Sequence, residues 1–277
     1  MKRYLFLMAV CAVLLVGVAT PLHAGLIGVG QFVNTSYDQT SSSPPVTPFG
    51  YFYSNGGNFG TANEFDTFSL TYPAPGLPLT LSQTDPTDFS GQTGYYFSLA
   101  ALQSDFPFGT YTDTVSGTSP TQFGTYQYSE NAFTSDIPAL DPGTYTGLQG
   151  MNPSLGMTLN FNSFTPPADS NAAFMFVNIY DGGNIIYAQG FLSPSTTSVF
   201  LPGFTLVGNH SYEYEVNFDN RLYGYDTADS VFTQQGFDVR TDGSFTTGPL
   251  VTPEPGTFAL LALGLGGVAL LKKKRSS

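Results

Sequence analysis

From Gly28 to Thr247 the chain never keeps a helical period for three turns, and its apolar residues alternate instead. In Tyr212-Glu-Tyr-Glu-Val-Asn-Phe218 the side chains of Tyr212, Tyr214, Val216 and Phe218 fall on one face and those of Glu213, Glu215 and Asn217 on the other. A period of two with one dry and one wet face belongs to an antiparallel strand packed on a single side. Met157-Thr-Leu-Asn-Phe161 repeats the pattern with Met157, Leu159 and Phe161 inward. Phe174-Met-Phe-Val-Asn-Ile-Tyr180 is a nearly continuous apolar run, as expected of a central strand covered on both faces. Asp181-Gly-Gly-Asn184 follows and leads into Ile185–Ala188; its glycines permit the positive φ of a tight hairpin. Asp242-Gly243, between Phe237–Arg240 and Ser244–Thr247, predicts a second hairpin. The expected class is all-β, built from antiparallel β-sandwich modules.

The 277 residues include 25 Phe and 17 Tyr. That is ample apolar surface for a core, so the chain folds despite its Ser, Thr and Asn filler. In the first half the expected strands are Phe65–Leu70, Gly94–Ala100 and Tyr111–Val115. Gly-Thr-Tyr recurs at Gly109, Gly124 and Gly143. Uneven spacing makes these turn glycines feeding strand entries rather than a solenoid repeat. From Ile137 onward the order of elements resembles an immunoglobulin- or fibronectin-III-like sandwich. Leu206-Val-Gly-Asn-His-Ser-Tyr212 is similar to the corner preceding one strand of such modules, which implies that the Tyr212 hydroxyl ties back to upstream backbone. With modules of about 100 residues, the division is a first sandwich over 25–136 and a second over 137–250.

Charge narrows the chemistry. The chain carries −12 overall. The stretch from Gly25 to Thr252 holds 19 of the 20 acids and only two cations, Arg221 and Arg240, a balance of −17. Such a body has no basic face for phosphates, so nucleic acid is not an expected partner. The sole cysteine is Cys11 and the body's only histidine is His210, inside the corner turn, which excludes thiol nucleophiles, disulfides and His pairs. No catalytic residues are assigned. Glu213 and Glu215 share a strand face at a spacing a glycosidase pair could use, but the alternation points them to water. Asp219, Asp226 and Asp229 crowd the segment after the long strand and are the candidate ligands for calcium. No EF-hand or nonapeptide pattern accompanies them, so no cofactor is required.

The two ends are targeting segments. Lys2 and Arg3, then the apolar stretch Tyr4–Val18 and a small-residue exit, form a signal peptide over 1–24, with cleavage between Ala24 and Gly25. The other end runs Pro253-Glu254-Pro255, an apolar transmembrane helix over 256–271, then Lys272, Lys273, Lys274 and Arg275. A helix of 16 residues spans roughly 24 Å, a little short of the ~30 Å hydrocarbon core, and the flanking lysines can snorkel. The basic cluster stays cytoplasmic and the acidic body lies across the membrane.

This C-terminal block, 252–277, resembles the PEP-CTERM sorting signal of Gram-negative bacteria; a plain tail anchor is the alternative. The resemblance implies an exosortase-type processing enzyme as partner, with Pro253, Glu254 and Pro255 as the recognition element. It implies a transient inner-membrane stage, then the cell surface, outer membrane or extracellular matrix. The expected role is structural or adhesive, without catalysis. A carbohydrate-binding module for extracellular polysaccharide in biofilm matrix is the competing reading, since exposed tyrosines can stack on sugars, and a glycoside hydrolase the third.

Overall fold

The computed structural model describes residues 25–73, 79–129 and 134–251. The expected signal segment 1–24 and sorting segment 252–277, with its apolar run 256–271, lie outside the described residues. Among those described, no helix is long and apolar enough to cross a membrane.

In chain order the elements are β1 (Leu26–Gln39), β2 (Gly50–Phe59), β3 (Phe65–Thr71), β4 (Ser82–Asp85), β5 (Asp88–Gln92), α1 (Leu99–Asp105), β6 (Gly109–Gly117) and β7 (Gln122–Tyr128). There follow α2 (Pro142–Leu148), β8 (Met157–Asn160), β9 (Ala172–Asp181), β10 (Asn184–Leu192), β11 (Ser198–Leu201), β12 (Ser211–Asp226) and β13 (Val231–Thr246). The fold is all-β, as the alternation predicts. An eight-stranded sheet runs β10-β9-β12-β13-β1-β2-β5-β4, beside a three-stranded sheet β3-β6-β7 and a two-stranded sheet β11-β8. Pairing is antiparallel except between β1 and β13, which run parallel from Gly28 opposite Phe232 to Gln39 opposite Gly243.

One face of the large sheet carries two hydrophobic clusters side by side. In the first, Val29, Val33, Tyr53 and Phe89 of the large sheet pack against Phe65, Tyr111, Val115 and Tyr126 of the three-stranded sheet. In the second, Met175, Val177, Ile179, Val216 and Phe218 pack against Leu159, Val199, Leu201 and Leu148 of β8, β11 and α2. The 25–136 and 137–250 halves thus each have a core, but they share a sheet. β1 lies between β13 and β2, and Val231 and Phe237 of β13 belong to the first cluster. Gln39 adds a polar tie. Its amide donates to the Leu140 carbonyl (3.0 Å), and its oxygen accepts from the Leu140 N–H (3.0 Å) and the Tyr214 hydroxyl (3.0 Å).

Several local expectations hold. Asp181-Gly-Gly-Asn184 turns the β9–β10 hairpin with Gly182 at φ 55° and Gly183 at φ 88°. The Tyr212 hydroxyl accepts from the Val207 N–H at 2.7 Å, closing the expected corner. Others are overturned. Asp242-Gly243 makes no hairpin, because β13 runs straight through it. A Cβ on Gly243 would stand 2.3 Å from the Tyr214 ring opposite, so this glycine admits an aromatic side chain rather than turning the chain. Gly94–Ala100 is no strand: only Tyr96 bridges, to Tyr51, before Ser98 caps α1 through the Ala101 N–H. The third Gly-Thr-Tyr, at Gly143, is helical, because Asp141 caps the Thr144 N–H and Pro142 occupies the first turn.

Candidate functional site: a charged strip on the central strands

The opposite face of the large sheet departs most from the sequence reading. Cross-strand neighbours share a face, so the pairings lay out a grid. Asn34, Asp238, Asp219 and Phe174 stand in one row across β1, β13, β12 and β9. Ser36, Arg240, Asn217 and Phe176 form the next, and Asp38, Asp242, Glu215 and Asn178 the one after. Both arginines of the body therefore meet in one strip. The alternation put Glu215 and Asn217 on a wet face, yet Glu215, Asn217, Asp219, Asp238, Arg221 and Arg240 are all buried.

Each arginine is paired with acid on this face. The Arg221 guanidinium pairs with Asp219 and lies 4.5 Å from the centre of the Phe32 ring, a cation–π contact. Arg240 donates to Asp242 at 3.0 Å and stands 3.7 Å from Glu215. Glu215 also accepts from the Tyr180 hydroxyl (3.2 Å) and the Asn178 amide (3.3 Å). Burial opposes the charge on Arg240, but Asp242 and Glu215 prevail and hold its guanidinium above the ordinary range. Asp238 moves the other way. Burial, then the neighbouring Asp219 carboxylate, push it well above the usual carboxylate range. The strip thus holds more acids than cations.

Hydrogen-bonding capacity in the strip is unmet. Both amide atoms of Asn34, Oγ of Ser36, Oδ1 of Asn217, Oδ1 of Asp238 and Nε of Arg240 are buried without a partner. Aromatic rings border these rows. Phe174 and Phe176 meet the exposed Phe191 edge-on on one side, and Phe52 and the exposed Phe49 meet Tyr95 on the other. Chemically the strip is a closed network of amides, hydroxyls and paired charges, with little of it open to solvent. A sequence signal for it exists: Asp219-x-Arg221 and Asp238-x-Arg240-x-Asp242 carry the body's only cations at the two-residue spacing that keeps side chains on one strand face.

The other sequence candidates fall apart in space. Asp219 lies within β12, which continues to Asp226, so the two are seven residues apart on one strand, roughly 23 Å. Asp226 accepts from the Thr125 and Ala228 N–H groups (2.9 and 3.0 Å), and Asp229 is exposed in the β12–β13 turn. Among the described residues no three His, Cys, Asp or Glu side chains gather as a metal set. The three acids do not crowd one loop, because the strand outruns the stretch that alternation identified. His210 pairs with Asp181 at 2.9 Å on the surface.

A family model described as the PEP-CTERM protein-sorting motif matches residues 251–275. The chain carries a PEP-CTERM sorting motif. Pro253, Glu254, Pro255 and the basic residues from Lys272 to Arg275 lie within the match. The motif marks an exported protein sorted to the cell surface and implies processing by an exosortase. No curated protein matches the sequence. A solved structure titled "Biofilm associated protein - BSP domain" aligns at 13% identity with a TM-score of 0.22, covering 79% of this chain and 29% of that one. The chain thus spans under a third of that protein, and a superposition this loose transfers neither fold nor role.

Proposed function

We propose that this PEP-CTERM protein is a non-catalytic structural or adhesive component of the cell surface or extracellular matrix. In this reading it is held in the inner membrane by residues 256–271 until an exosortase acts near Pro253-Glu254-Pro255. The observation that carries it is the sorting motif at 251–275 appended to an acidic, cysteine-free β-sheet body. The test is a chromosomal deletion compared with its complemented parent for matrix retention and surface attachment. Complementation by the chain with Pro253, Glu254 and Pro255 replaced by alanine is expected to leave protein in the inner membrane and attachment unrestored. Attachment and matrix equal to the parent in the deletion strain would overturn the role.

A second reading, binding of extracellular polysaccharide, is favoured by the exposed rings of Phe49 and Phe191 at the borders of the strip. Flat aromatic rings on a β-sheet face can stack on a sugar. Glycan binding without turnover, weakened by Phe191→Ala, would support it.

A further inference from the structure

We infer that one end of the second core is a lipid-contacting platform, on which the body rests at the membrane surface while the C-terminal segment is inserted. Three loops build this end: 149–156, 202–210 and 247–251. They are locked together by backbone and side-chain bonds. The Phe204 N–H donates to the Pro153 carbonyl (2.6 Å), the Gly248 N–H to the Met151 carbonyl (2.8 Å), the Asn209 N–H to the Gly248 carbonyl (2.9 Å), and Ser154 Oγ to the Val251 carbonyl (3.2 Å). From this locked base Leu155, Phe204, Val207, Leu250 and Val251 project, joined by Phe200 of β11, whose ring lies beside Gly156; each is 46–69% exposed. Scattered single apolar residues need no explanation, but six at one end of an acidic body do.

Two further observations point to lipid as the occupant. Phe204 sits at φ 63°, a backbone region uncommon for a bulky residue, and its ring is 69% exposed, the most exposed of the six. The platform also lacks charge. In a body of 19 acids, segments 142–168, 182–209 and 243–253 contain no Asp, Glu, Lys or Arg. The flanking His210 pairs with Asp181. A surface approaching anionic headgroups excludes carboxylates and offers aromatic and aliphatic side chains.

The chain leaves the body at this same end. The described body ends at Val251, whose N–H is held by Asn152 Oδ1 at 3.3 Å within the platform. Only four residues separate Val251 from the apolar run that begins at Gly256. The five Cα–Cα steps from Val251 to Gly256 reach at most about 18 Å, so insertion of 256–271 brings this end against the bilayer. The β12–β13 hairpin runs away from it toward the turn at 227–230, roughly 50 Å off at ~3.3 Å per strand residue. Pro253-Glu254-Pro255 would thereby be held at the interface, between the platform and the helix. The inference rests on insertion of 256–271, the anchoring step of the proposed function.

The chain contains no tryptophan, so one substitution makes a clean fluorescent reporter. Full-length protein with Phe204→Trp, Val207→Trp or Phe123→Trp is reconstituted into phosphatidylethanolamine–phosphatidylglycerol vesicles with or without brominated acyl chains. Phe123 is exposed on β7, beside Thr125, whose N–H binds Asp226 at the far end of β12, so it serves as the distal control. Flotation shows separately whether the chain is inserted, and failure there would sink the anchoring step and the platform with it. For floated protein, brominated lipid is expected to quench residues 204 and 207 about twofold or more, as for side chains buried 5–10 Å into the interface, and to leave residue 123 unchanged. Floated protein with 204 and 207 quenched no more than 123 overturns the platform and leaves anchoring intact. Shielding of 204 and 207 from aqueous iodide without quenching by lipid also overturns it, in favour of a protein partner or second copy. Two platform positions are used so that a folding defect in one variant does not decide the outcome.

Discussion

Asp113 offers the sharpest test of the packing in the first core. It sits on β6, fully buried, with Oδ2 accepting from the Asn55 amide at 3.1 Å. That amide also donates to the Tyr126 hydroxyl at 2.7 Å, and Tyr53 donates to Gln31 at 2.9 Å nearby. Burial raises the Asp113 carboxyl to about 8, against the lowering effect of the Asn55 and Tyr126 bonds. The folded protein therefore keeps a proton that the unfolded chain releases near pH 4. Stability is greatest below the ordinary carboxylate range, falls as pH rises toward 8, and levels off above it. Over pH 5.5–8, where exposed carboxylates are already ionised, the loss is about 3 kcal/mol at ~1.4 kcal/mol per pH unit. For a fragment spanning 25–251 that is a drop in Tm of roughly 6–12 °C.

Asp113→Asn keeps an oxygen for Asn55 and cannot ionise. Thermal melts followed by circular dichroism at fixed ionic strength should show the variant gaining on the parent by this amount between pH 5.5 and 8. Subtraction matters, because Asp88, raised by burial to about 6, and Asp238 titrate in both proteins. A parent–variant difference that stays flat from pH 5.5 to 9 would refute the reasoning. It would mean that water reaches the carboxylate and the site is not dry.

Two shorter predictions concern how the sheet is held. Tyr212→Phe removes the acceptor of the Val207 N–H and should cost about 1–2 kcal/mol in urea unfolding, with an unchanged m-value. Gly236→Ala would place a Cβ 2.1 Å from the Phe32 ring and should cost about 1–3 kcal/mol. If the clash is the cause, adding Phe32→Ala makes the pair less damaging than the sum of the singles; additive losses would argue against it.

Much of this protein is written locally. The period-two face of Tyr212, Tyr214, Val216 and Phe218, the Asp181-Gly-Gly-Asn184 hairpin and the Tyr212 corner each depend on neighbours within a few residues. So does the sorting motif, whose order of tripeptide, apolar run and basic cluster is read as a linear address. The partner of β1 is different. It pairs with β13 across some 200 residues of chain, and no local pattern specifies a parallel neighbour at that separation. That pairing makes one sheet of the two halves and brings Asn34 and Ser36 beside Asp238 and Arg240. Alternation correctly divided Glu215 from Tyr214, but which face meets water depends on what packs there. A glycine shows the same limit: at Gly182 it turns the chain, while at Gly243 it makes room for Tyr214. The residue supplies freedom of φ and empty volume, and only the tertiary neighbours decide which of the two is used.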